Sequence, residues 1–252
     1  MASTDFRPVV IIPVYNHPAE LHRLVGYINN QKLACILIDD GSDRQCASLI
    51  DQVSSLHSEV FIVRHTQNRG KGAAVMSGLR EAKRRGYSHA LQIDADGQHY
   101  VQDIPDFLVT AMANPSAVII GTPIYDESVP KSRLYARYLT HIWVWINTLS
   151  FAITDSMCGF RVYPLDPVIR VLDRSQLGER MDFDSEVLVR LCWMGAQIVN
   201  RPTKVIYPKN GISHFNAFND NVRISIMHTK LFFGMLWRMP VLLYRKFSRL
   251  TT

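Results

Sequence analysis

No two cysteines in this chain have the close spacing of a metal knuckle. Cys35, Cys46, Cys158 and Cys192 are scattered. Three of them lie in apolar or helical-looking stretches and read as reduced thiols of a cytosolic protein. The opening MASTDFRPVVIIPVYN has no basic segment leading into a long apolar run, so it does not read as a secretory leader. Low-complexity linkers and internal repeats are absent, which excludes solenoids and arrays. Acidic residues are missing from Val222 to Thr252, where six Lys and Arg occur. The other 22 basic residues balance the 22 acidic ones, so the whole excess of +6 belongs to this tail. A neutral body with a basic tail fits a membrane surface and argues against nucleic acid, whose binders spread charge over a face.

With 47% hydrophobic residues, the chain can bury one sizeable core. RPVVIIPVY (7–15) is a β-branched run suited to a strand buried on both faces. Further strands are predicted at 34–40, 59–65, 89–94 and 116–121, with helices at 17–30, 43–57, 70–86 and 104–114. Such alternation means a mostly parallel sheet covered by helices, an α/β fold. Beyond it the pattern predicts a helix over 131–153, a short strand over 158–163, a helix over 182–195, an extended stretch over 196–207 and a long basic helix over 217–247, kinked at Pro240.

Ligands of open α/β sheets bind outside the carboxyl ends of the strands. Three motifs fall there: Asp39-Asp40-Gly41-Ser42, Asn68-Arg69-Gly70-Lys71-Gly72 and Asp94-Ala95-Asp96. Asp94 and Asp96 repel one another unless a cation joins them. Hard oxygen donors suit Mg²⁺ or Mn²⁺, which reach phosphates through their remaining positions. A lone Asp more often caps a turn, but two acids at i and i+2 on one strand tip favour a metal. Tyr15 could be core, Lys71 an exposed helix-start residue and Arg161 a surface arginine. His99 and His214 read as surface or hydrogen-bonded residues, and Asp182 as solvated.

Together IIPVYN (11–16), IDDGSD (38–43), NRGKGAAVMSG (68–78), DADGQH (94–99), DSMCGFRVY (155–163) and FDSEVLVR (183–190) resemble a family 2 glycosyltransferase of the GT-A fold, in the dolichyl- or polyprenyl-phosphate sugar synthase-like branch. The resemblance covers about residues 7–210. It implies that Pro13, Tyr15, Asp39 and Asp40 hold the base and ribose of a nucleotide-sugar, a UDP- or GDP-sugar. Asn68, Gly70 and Lys71 would line the donor site. Asp94 and Asp96 would be the DxD motif, with Asp96 the nearer metal ligand. Asp155, Gly159, Phe160 and Arg161 would shape the sugar and acceptor site. Asp184 falls where members with hydroxyl acceptors carry a general base, with Glu186 one step further along. The family's Gly-x-Ser fits Gly211 and Ser213, but His214 stands where lysine is expected and Lys209 lies one position off. A lipid hydroxyl therefore stays beside a lipid phosphate as the acceptor.

Residues 138–154 carry no Asp, Glu, Lys or Arg, but seventeen residues is the lower edge of a spanning length. A span here would put Asp155 across the membrane from Asp96, so the stretch reads as a buried or interfacial helix. In the tail, Arg223, Lys230, Arg238 and Arg245 fall on one helical face. Ile226, Leu236, Met239 and Leu243 fall opposite, with Phe233 nearby, the pattern of an interfacial amphipathic helix. The expectation is a glycosyltransferase domain over 1–215 and a basic helix over 216–252, on a membrane surface or packed on the domain. The enzyme would be inverting and metal-dependent, moving a sugar to a lipid-linked acceptor at the cytoplasmic, inner face of the membrane. Two other readings are a nucleotidyltransferase, which would want a Gly-rich basic loop after the first strand, and a non-catalytic peripheral membrane adaptor.

Overall fold

The computed structural model describes residues 6–124, 131–205 and 217–248, with the side chains of 131–136 and 217 left out. The elements follow in order: β1 (Pro8–Val14), α1 (Leu21–Asn30), β2 (Ala34–Asp39), α2 (Arg44–Ser55), β3 (Val60–Arg64), α3 (Lys71–Arg84), β4 (His89–Gln92), α4 (Ile104–Ala113), β5 (Ala117–Ile124), α5 (Lys131–Thr148), β6 (Arg161–Pro164), α6 (Leu165–Arg174), α7 (Phe183–Trp193), β7 (Gln197–Lys204) and α8 (Ala217–Ser248). They form a seven-stranded sheet in the order β3-β2-β1-β4-β6-β5-β7. Only β6 runs antiparallel to its neighbours β4 and β5.

Successive strand residues point to opposite faces, and both faces are buried. Val10, Ile12, Cys35 and Leu37 pack toward α1, α2 and α4. Val9, Ile11, Ile36 and Ile38 pack toward α3, α6, α7 and α8. This accounts for the unbroken apolar run at 9–12. The four cysteines are free thiols, and only Cys192 is not fully buried.

Two differences from the predicted elements have local causes. The helix predicted over 131–153 stops at Thr148, because Leu149 turns left-handed at φ 51°. The amphipathic helix α6, which buries Leu165, Val168, Val171 and Leu172, has no counterpart among the predicted elements. Its Pro167 sits in the first turn, where a missing N–H costs nothing. α8 is one helix with Pro240 inside it.

α8 packs along the domain through Met227, Leu231, Met235 and Leu242, which join the core holding Val187 and Trp193. Among the described residues no helix is long and apolar enough to cross a membrane.

Candidate active site

The carboxyl ends of β1, β2 and β4 converge at one edge of the sheet. At the end of β2, Asp39 and Asp40 are 1% and 2% exposed. Asp39 accepts from Arg64 Nε at 2.8 Å and from the Ser42 amide at 2.9 Å. Asp40 accepts four hydrogen bonds: His65 Nδ1 at 2.7 Å, Asn68 Nδ2 at 3.0 Å, and the amides of Arg69 at 3.0 Å and Gly70 at 2.8 Å. Four is about all a carboxylate can take. Asp40 therefore folds the 65–70 loop with its acceptor positions filled from within the chain, where the resemblance implied a contact to the base and ribose. Gly70 ends that loop at φ 109°, and a Cβ there would strike the Glu179 carbonyl and Arg180. Pro13 and Tyr15 line the neighbouring end of β1, each half-buried.

The next residue, Lys71, opens α3 and is no exposed helix-start lysine. Its ammonium lies 2.8 Å from Asp94 Oδ2 and 2.9 Å from Asp184 Oδ2. Burial opposes its charge, yet the two carboxylates hold its pKa above the usual lysine value. For Asp94 burial alone would raise the pKa, but Lys71 and His99 hold it well below the usual range. Gly159 backs directly onto Asp94, and any side chain there would collide with the carboxylate.

Asp96 is different. It accepts the Gln98 amide at 3.0 Å and has no ion-pair partner among the described residues. Burial, and then the charge of Asp94, push its pKa up. Asp94 Oδ1 and His99 Nδ1 are buried without hydrogen-bond partners. Asp96 without an ion-pair partner, beside an orphaned oxygen of Asp94, fits a hard divalent cation. No group of three or more His, Cys, Asp or Glu among the described residues could hold a metal alone. A metal on Asp94 and Asp96 would thus complete its shell with water or ligand phosphates. Of the two readings of His99, surface or hydrogen-bonded, the structure supports the second: it is 8% exposed, with Nε2 3.6 Å from Asp94.

Arg161, expected to shape the sugar and acceptor site, is fully buried. It donates to the carbonyls of Cys158 at 2.7 Å, Ser156 at 2.8 Å and Asp184 at 2.7 Å, and to the Tyr163 hydroxyl at 3.1 Å. Buried guanidinium forks satisfied this way act as scaffolds, so Arg161 sets the position of Asp184 from below and is out of reach of a phosphate. Asp155 is also committed. It receives Arg137 through Nε at 2.6 Å and Nη2 at 2.7 Å, and the amides of Met157 and Cys158. Although burial would raise its pKa, His141 and Arg137 lower it. It ties α5 to the 155–160 loop, and Arg137 carried no signal in the sequence. Asp182, expected in solvent, is 9% exposed and accepts the Arg180 amide at 3.2 Å. Glu186 is spent on Arg190 and the Gly178 amide. Lys209, Gly211, Ser213 and His214 lie outside the described residues.

This arrangement of acids at the ends of parallel strands coincides with a family match. The glycosyl transferase family 2 model matches residues 9–174. The chain belongs to that family. Among curated relatives, family 2 resemblance extends to the UDP-N-acetylglucosamine--dolichyl-phosphate N-acetylglucosaminyltransferase of Methanococcus voltae, 24% identical, covering 90% of this chain and 94% of that protein. The polyprenol monophosphomannose synthase of Mycolicibacterium smegmatis is 26% identical, covering 84% of this chain and 82% of that one. The names of both relatives refer to dolichyl phosphate or to a polyprenol monophosphosugar. Two solved structures share the GT-A fold. One is the glucosyl-3-phosphoglycerate synthase of Mycobacterium tuberculosis with Mn²⁺ and UDP-glucose, at TM-score 0.62 and 13% identity over 93% of this chain and 79% of that one. The other is a mannosyltransferase of Pyrobaculum calidifontis with GDP-Man and Mn²⁺, at TM-score 0.59 and 17% identity over 94% and 73%.

Proposed function

We propose that this family 2 enzyme is an inverting transferase that moves a sugar from a nucleotide-sugar to a polyprenyl-type lipid phosphate at the cytoplasmic face of a membrane. One observation carries the choice of acceptor. Asp184, the residue expected as a general base, is 5% exposed and ion-paired to Lys71, with Arg161 Nη1 3.7 Å from its other oxygen. Both of its oxygens are engaged within the protein, one by Lys71 and the other by Gln92 and Arg161, which occupies the positions a proton acceptor would use. A hydroxyl nucleophile needs such an acceptor. A phosphate brings its own negative charge and needs none.

The donor would lie over the end of β1 and the 65–70 loop, with Pro13, Tyr15, Asn68 and Lys71 along it. Asp39, Asp40 and Gly70 support it by setting the loop. Asp96 and Asp94 would hold Mg²⁺ or Mn²⁺, whose charge offsets that developing on the departing nucleoside diphosphate. Attack from the far side of the sugar carbon in a single displacement inverts the anomeric centre.

The membrane reading rests on the outer face of α8. Trp237, Phe218, Tyr244, Phe233 and Phe247 are 86%, 78%, 74%, 65% and 64% exposed. They recur at helical spacing on the side away from the domain. α5 continues this surface with exposed Tyr138 and Leu139. Monomeric proteins seldom leave so much contiguous apolar surface in water, and aromatic-rich helix faces suit a lipid interface. The basic residues are placed otherwise than the wheel suggested. Arg238 stacks over Trp193 at 4.6 Å and Arg245 donates to the Trp193 carbonyl at 2.7 Å. Their long stems cover domain surface, while Arg223 and Lys230 are exposed beside the aromatic face, where they would meet anionic lipid.

The experiment is transfer from UDP- and GDP-sugars, with Mn²⁺, in vesicles containing either a polyprenyl phosphate or the corresponding polyprenol. Product is expected on the phosphate alone. Product on the polyprenol, with none on the phosphate, would overturn the acceptor.

A further inference from the structure

A cavity of about 560 Å³ lies at the opposite end of the sheet from the acids. Its walls are the start of β7, the turn after α5 and the last turns of α8. Gln197, on its rim, pairs with Ala117, the first residue of β5. That register places the cavity at the amino ends of the parallel strands, well away from Asp94 and Asp96. The size is ordinary for a ligand pocket. The floor is apolar, with Leu149, Phe151, Ile198 and Leu242. Two cations stand at the wall, Arg245 and Lys246, and no Asp or Glu lines the space. Neither cation has an acidic partner among the described residues, and the Trp193 carbonyl holds the Arg245 guanidinium in place.

An apolar floor under two uncompensated cations is complementary to an anionic amphiphile. Inorganic phosphate would leave the floor uncovered, and a neutral lipid would leave the cations unused. Tyr244 and Phe247, exposed on α8, flank Arg245 and Lys246 in sequence, so the exposed apolar face and the cavity share the last turns of that helix. We propose that this cavity binds one anionic glycerophospholipid, with its phosphate on Arg245 and Lys246 and the first part of a chain on the Leu149–Ile198–Leu242 floor. The site is separate from that of the acceptor. It rests on the membrane reading above, because lipid reaches the cavity from a bilayer lying along α8. A lipid held at this end, together with the α8 face, would fix the angle at which the catalytic end meets the membrane.

The test uses the full chain in two measurements: lipid retention by native mass spectrometry with short-chain phosphatidylglycerol or phosphatidylcholine, and co-sedimentation with vesicles containing phosphatidylglycerol. One phosphatidylglycerol is expected to be retained, and no phosphatidylcholine. Lys246→Glu should weaken retention at least about fivefold. Ala196→Trp, which fills the cavity and keeps both cations, should abolish retention while co-sedimentation persists through α8. Equal retention of the two lipids, undiminished retention in Ala196→Trp, or a wild type that sediments with vesicles yet retains no lipid would overturn the site. Retention without any sedimentation would leave the site standing and remove the membrane reading instead. Glycerol phosphate, added in excess, should not displace the lipid; if it does, the apolar floor contributes nothing and the proposal falls.

Discussion

Lys71 and Asp184 are ion-paired at 2.9 Å, and the same ammonium reaches Asp94 at 2.8 Å. One lysine thus joins the DxD motif to the residue expected to act as base. Removing it leaves two facing carboxylates with little solvent. Lys71→Met should therefore destabilise the fold by about 3–5 kcal/mol, the usual cost of stripping one partner from a buried pair. Thermal melts with and without Mn²⁺ provide the check. Mn²⁺ should raise the melting temperature of the variant more than that of the wild type, since the ion meets the charge that the lysine no longer does. A variant as stable as the wild type would show that the pairing contributes nothing.

Asp96 has no ion-pair partner among the described residues, and its one hydrogen bond there is from the Gln98 amide. Asp96→Asn keeps the size and removes the charge. Transfer should fall by about a hundredfold or more, given several kcal/mol of metal-borne stabilisation. Calorimetry with Mn²⁺ and UDP or GDP should show weaker binding of the pair with an unchanged melting temperature. Near-normal turnover would remove Asp96 from the metal site.

Asp184→Asn separates the acceptors. With a lipid phosphate as nucleophile, transfer should stay within about tenfold of wild type, the loss reflecting poorer positioning of Lys71. Complete loss of transfer with intact donor binding would mean that a proton must be taken, and so a hydroxyl.

His228 sits between α5 and α8, hydrogen-bonded to Asn147 at 3.2 Å and stacked on Trp143. Burial pulls its pKa down from 6.5 to about 4. The unfolded chain takes up a proton near 6.5 and the folded chain only near 4. This contribution is intact above pH 6.5, is lost as pH falls through that window, and levels off below it. The loss amounts to about 3 kcal/mol. His228→Gln keeps a neutral polar side chain and removes the titration. Its melting temperature should fall less than that of the wild type between pH 7 and pH 4. Equal pH dependence would show that His228 is free to charge in the fold.

The outer face of α8 predicts that apolar contact dominates membrane binding. Phe233→Ser with Trp237→Ser should weaken vesicle partitioning at least about a hundredfold, at roughly 1.5–3 kcal/mol for each large side chain. Arg223→Glu with Lys230→Glu should have a smaller effect that vanishes at high salt. If the charge reversals dominate in sedimentation assays, the bilayer meets another surface.

Much of this was legible in the residues themselves. The doubly buried strands follow from runs such as VVII, and acids straight after such a run can only stand at the carboxyl edge of a parallel sheet. That places Asp39, Asp40, Asp94 and Asp96 together before any coordinates. What the acids do there was not legible, because a hydrogen-bond count depends on groups brought in from elsewhere in the chain. Asp40 is saturated by the 65–70 loop, Arg161 is buried under α7, and Lys71 spans Asp94 and Asp184 from separate elements. The helical wheel of α8 had the same limit. Its periodicity gives the angles between side chains but not which sector meets the domain. Packing of Met227, Leu231, Met235 and Leu242 on the core decided that, turning the arginines toward Trp193 and the aromatics outward.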